Sequence, residues 1–76
     1  MTLKVRPFTF EEQLSLLHWQ GADNLQAYIV ARVLSLSQKD WPISDIAFAF
    51  MLNEDDVRDI IQTFNEKGLE PLAPRL

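Results

Sequence analysis

Residues 43–68 read ISDIAFAFMLNEDDVRDIIQTFNEKG, and the fold turns on how this stretch is divided. Ile43, Ile46, Ala47 and Phe50 recur at helical spacing and predict the inner face of a short helix. Val57, Ile60, Ile61 and Phe64 repeat the pattern on a longer helix over about 54–67, which Gly68 closes. Between them Leu52 and Asn53 make a tight turn, and the asparagine side chain is expected to cap the helix that follows. Two helices joined by about three residues predict a helix-turn-helix from spacing alone. The apolar set fixes the pair at a steep angle, small Ala47 permits close approach, and the second helix projects its polar side outward. An ordinary three- or four-helix bundle shares most of this pattern.

Upstream, DNLQ at 23–26 is a cap signal, and Leu25, Ile29, Val33 and Leu36 then repeat at helical spacing to about residue 37. The polar connection SQKDWP ends in Pro42. Further upstream, TFEE at 9–12 is a capping box: Thr9 can accept the Glu12 amide while the Glu12 carboxylate reaches back to the Thr9 amide. A helix over about 10–19 follows, with Leu14, Leu17 and Phe10 on its apolar face and Gly21 as a left-handed stop. Phe8, Phe10, Trp19 and Trp41 are expected in or at the edge of the core, because each offers large area to a small domain. Residues 1–8, interrupted by Pro7, form an arm expected to be a solvated end; residues 69–76, with two prolines, form a tail that can fold back through Leu69 and Leu72. No strand signal appears. The expected fold is all-α, a small homeodomain-like bundle of about four helices: arm 1–8, helical domain 9–68 with the helix-turn-helix at about 43–67, and tail 69–76.

A chain of 76 residues makes one domain at most and buries only about 60% of its unfolded surface. The hydrophobic fraction of 47% is ordinary for a globular chain. The absence of cysteine excludes disulfides and thiolate metal sites. The longest apolar run, Ile46 to Leu52, is far short of the roughly 20 residues of a membrane span, and MTLKVRPFTF is not a signal peptide, so cytoplasm is expected. His18 is the lone histidine, Glu54, Asp55, Asp56 and Asp59 lack calcium-loop spacing, and no serine has a nearby base or glycine elbow. The chain therefore reads as non-enzymatic, with no metal, no cofactor and no small-molecule substrate.

The stretch VARVLSLSQKDWPISDIAFAFMLNEDDVRDIIQTFNEKGLEPL resembles the N-terminal homeodomain-like domain of mariner-related bacterial insertion-sequence transposases. The likeness covers about residues 28–72 and is best in SDIA (44–47), in Val57-Arg58 and in FNEKGLEPL (64–72). It implies a DNA-binding fold with residues 54–67 as recognition helix. Two departures bear on function: Met51 stands where that family has a turn glycine, and Phe48 and Ala49 replace its paired arginines. Met1 suggests a natural start, and LEPLAPRL falls where the family continues into a linker.

Charge decides between two uses of such a scaffold. Net charge is -4 and the pI about 4.7, so the average field repels nucleic acid and anionic lipid. The outward positions of the last helix are Asn53, Glu54, Asp55, Arg58, Asp59 and Gln62, where carboxylates outnumber the single cation. One acidic residue can accept from cytosine, but several without a basic surround oppose the phosphates. Acidic residues in a first turn also complement the helix dipole, which accounts for NEDD by folding alone. Phe48, on the opposite side of its helix from the core, could join Met51 and Trp41 in an apolar patch; cover from Leu72 and Leu76 is the competing expectation. The favoured expectation is a protein-interaction, adaptor or regulatory module, by partner capture or self-association, using Trp41, Phe48, Met51, Glu54, Asp55 and Asp59. The alternative is a DNA-binding module in which Asn53, Arg58 and Gln62 read bases while Lys4, Arg6, Lys39 and Lys67 touch phosphates.

Overall fold

The computed structural model describes residues 3–73. Within them the chain forms four helices and no strand: α1 (Phe10–Gln20), α2 (Leu25–Gln38), α3 (Ile43–Phe50) and α4 (Glu54–Lys67), followed by a 3-10 turn over Glu70–Leu72. The protein is a small all-α bundle.

Local chemistry sets the helix ends. Thr9 accepts the Glu12 amide at 3.1 Å while the Glu12 carboxylate accepts the Thr9 amide at 2.9 Å, so the expected capping box starts α1. Asn24 caps α2 by accepting the Ala27 amide at 3.1 Å. Asn53, expected to do the same for α4, makes no side-chain cap; its backbone carbonyl accepts from Asp56 and Val57 instead. Gly21 does not act as a left-handed stop, since its φ is -95°. The left-handed positions are Asp40, at φ 68°, and Met51, at φ 56°. At each, the next residue's amide bonds to a carbonyl five positions back, Trp41 to Leu36 and Leu52 to Ala47, which satisfies otherwise unpaired helix-end acceptors.

The centre of the bundle is α2, which packs against α1, α3 and α4. Flanked this way, it buries Ala27, Val30, Ala31, Val33, Leu34 and Leu36, more than half of its circumference. The narrower face expected from Leu25, Ile29, Val33 and Leu36 is therefore incomplete, and Leu25 is exposed. For α3 and α4 the expected inner faces hold: Ile46, Ala47, Val57, Ile61 and Phe64 are buried, and Ile43, Phe50 and Ile60 pack against them. For α1 the expected face is reversed. Leu16 and Trp19 are buried, whereas Phe10, Leu14 and Leu17 face solvent, because α2 meets the side of α1 that carries the tryptophan.

Two flanking segments close the core. Leu69 and Leu72 fold back onto it, as expected for the tail. The arm is not a solvated end. Val5 is buried and its amide donates to the Ser37 hydroxyl at 3.1 Å. The Arg6 amide donates to the Asn65 side-chain oxygen at 2.8 Å, and the Asn65 amide group donates to the Lys4 carbonyl at 2.9 Å. One asparagine on α4 thus holds the arm at both a donor and an acceptor.

Candidate functional site

The outward region of interest lies where α3 turns into α4. The left-handed residue ending α3 is Met51, 94% exposed, and Phe48, one turn earlier, is 87% exposed. The inner side of α3 is consumed by Ile46 and Ala47, which leaves Phe48 on the opposite side of a helix whose apolar residues outnumber what one core face can take. Among the described residues nothing covers this pair; Leu76, one of the two residues expected to do so, lies outside them. The other, Leu72, lines a groove with Leu25 and Ile60.

Beyond Met51 the first turn of α4 presents its carboxylates. Asn53, Glu54, Asp55, Arg58, Asp59 and Gln62 are all exposed, as the spacing of the inner face predicts. Arg58 reaches Glu54 at 3.6 Å and Asp55 at 3.3 Å, so the cation on this side is already shared between two carboxylates of its own helix. Asp56 and Asp59 line a groove of about 560 Å³ between α2 and α4 together with Leu25, Ile29, Leu52 and Ile60.

Trp41 lies toward the arm rather than at the α3–α4 turn. It precedes α3, at the other end of a helix about 12 Å long. There it lines a depression with Leu3, Lys4, Ser37, Asp40 and Pro42, partly exposed and beside the docked arm.

The cations that a polyanion would need are distributed unfavourably. Lys4 pairs with Asp40. The Arg6 guanidinium makes two bonds of 2.9 Å to the Glu12 carboxylate and lies 4.2 Å from the centre of the Phe64 ring. That bidentate pair is the main cause holding the Glu12 carboxyl down at about 2, against partial burial that opposes it. The Arg6 pKa is raised by the same hydrogen bonding. Lys39 and Lys67 are exposed, and among the described residues neither is in an ion pair. No three His, Asp or Glu side chains among the described residues come together as a metal site, and no helix there is long and apolar enough to cross a membrane.

Two features lie beyond what spacing alone could place. The groove joins Leu25, from one helix, to Ile60 and Leu72, distant in sequence, and only the packing of α4 and the returning tail on α2 brings them together. The outward stripe on α1 was visible as a periodicity but not as a surface.

Architecture and site define a small all-α helical domain with an acidic, partly apolar outer side. Comparison with family models, with curated proteins and with solved structures finds no match.

Proposed function

We propose that this chain is a non-enzymatic protein-interaction module, with α3 and α4 serving as a helix-turn-helix scaffold turned from DNA to protein. Its partner presents apolar and cationic side chains. The carrying observation is the pairing of an exposed Phe48 and Met51 with an α4 surface whose one arginine is spent on its own helix's carboxylates. Desolvating an aromatic and a methionine at the centre of a contact is favourable, and flanking carboxylates select a basic partner and repel a polyanion. The resemblance of residues 28–72 to transposase domains supports the scaffold. Function follows the site rather than the scaffold.

A salt titration of binding to random duplex DNA tests this reading. No measurable affinity is expected at low salt. Affinity that falls steeply with added salt would replace it with the DNA-binding alternative, in which Asn53, Arg58 and Gln62 read bases and Lys4, Arg6, Lys39 and Lys67 touch phosphates. On the protein side, Phe48→Glu is expected to leave helicity unchanged and to abolish partner capture. Capture that survives this change rules out the α3 surface.

A further inference from the structure

Helix α1 holds an apolar stripe that the fold leaves in solvent. Phe10, Leu14 and Leu17 are spaced by four and three residues, the repeat of a coiled-coil seam, and are 73%, 51% and 66% exposed. At 3.6 residues per turn they fall within one narrow strip, opposite the side on which Leu16 and Trp19 anchor the helix to the core. Large apolar residues scattered singly over a surface are ordinary; three aligned on one helix mark a contact. The flanks of the strip differ. Glu11 and His18 lie along one side; along the other lie Gln13 and Gln20, the latter half-buried and donating to the Ser35 hydroxyl of α2 at 3.3 Å.

We propose that this strip is a homodimer seam, in which α1 packs antiparallel against α1 of a second copy about a two-fold axis at Leu14. The occupant follows from complementarity. A two-fold axis requires a surface that matches itself, and antiparallel pairing sets Leu14 against its own counterpart and Phe10 against Leu17 of the partner subunit. The same register brings the Glu11 carboxylate beside His18 of the partner subunit at both ends of the seam, while glutamine faces glutamine on the other flank. It also places each helix N-terminus near the other's C-terminus, the favourable arrangement of the dipoles.

Size sets the strength. A stable complex buries about 800 Å² on each partner, and three side chains with a four-residue polar rim fall below that. The dimer is a weak, reversible one. It uses no residue of the α3–α4 surface, so its failure and that of the proposed partner capture are separate results.

Sedimentation equilibrium of the full chain from roughly 1 µM to 1 mM spans the assembly of such a complex. The mass is expected to rise from monomer toward dimer, and Leu14→Glu, with unchanged far-UV circular dichroism, is expected to stay monomeric throughout. A wild-type chain that is monomeric over the whole range, or a folded Leu14→Glu chain that still dimerises, overturns the seam. Cross-linking decides orientation, and decides the question outright if Leu14→Glu does not fold. The chain has no cysteine of its own, so introduced ones report alone. A mixture of Phe10→Cys and Leu17→Cys chains is expected to form a disulfide heterodimer on oxidation, in excess of the Leu17→Cys homodimer. Equal or greater homodimer yield from Leu17→Cys alone overturns the antiparallel arrangement.

Discussion

The two ends of α4 hold similar side chains in opposite circumstances. At its C-terminal end, Phe64 is fully buried beneath the Arg6 guanidinium and meets the Phe8 ring edge-on at 5.3 Å. Arg6 is locked to Glu12, Asn65 holds the arm, and a Cβ added at Gly68 would stand 3.6 Å from the Glu12 carboxylate and 3.7 Å from Arg6. At its N-terminal end an arginine meets carboxylates again, as Arg58 with Glu54 and Asp55, and Phe48 stands on the preceding helix, all open to water. Surroundings separate the two. Where an aromatic ring shields one side from water, an ion pair contributes to structure; in solvent a similar pair contributes little.

The largest expected effect breaks the clasp directly. Arg6→Ala removes a bidentate charge-assisted pair and a cation–π contact, and leaves the Glu12 carboxylate without its partner. With the arginine side chain 35% exposed, screening limits the cost to about 2 kcal/mol. Arg58→Ala, at the other end, is expected to change stability by less than about 0.5 kcal/mol. Urea unfolding of the two variants measures the contrast, and equal costs would erase it.

Acid gives the next largest effect. Because the Glu12 carboxyl is held at about 2 in the fold, below its ordinary value of 4.5, its contribution is complete above about pH 4.5 and is lost as pH falls toward 2. The loss, discounted for partial exposure, is on the order of 1–2 kcal/mol. Unfolding curves across that window are expected to keep this slope in Arg58→Ala and lose most of it in Arg6→Ala. An unchanged slope in Arg6→Ala would mean that another group governs acid stability.

The smallest effect sharpens the comparison at the open end. Met51 is left-handed and almost fully exposed, so its side chain adds strain at the turn without packing to offset it. Met51→Gly is expected to raise stability by about 0.5–1 kcal/mol, after the entropy that glycine costs, which is a few degrees in Tm for a domain this size. No gain, or a loss, would show that Met51 packs in the folded state. If the methionine serves a partner, the stabilised variant is also expected to bind that partner more weakly.

Much of the fold was legible in 76 residues because it is written locally. The capping box at Thr9 and Glu12, the 3.6-residue repeats of α3 and α4 and the glycine closing α4 each involve neighbours within a turn or two, where spacing determines geometry. The outward residues of α4 followed by subtraction from its inner face. The left-handed turn at Met51 was not legible, because a methionine gives no signal of positive φ. Nor was the pairing of Arg6: a cation near a chain end looks free until a carboxylate six residues on and a ring fifty-eight residues away are found around it.

The sequence by itself determined the all-α character, the number and limits of the four helices, the acidic balance and the inner sides of α3 and α4. Only the tertiary structure decided which side of α1 is buried, that the arm is part of the core's edge, and that Trp41 lies toward the arm. The physical reason is that periodicity says a helix has an apolar stripe but not what the stripe meets. α1 has two candidate sides, and the one carrying Trp19 and Leu16 wins because α2 buries it, leaving Phe10, Leu14 and Leu17 to the solvent.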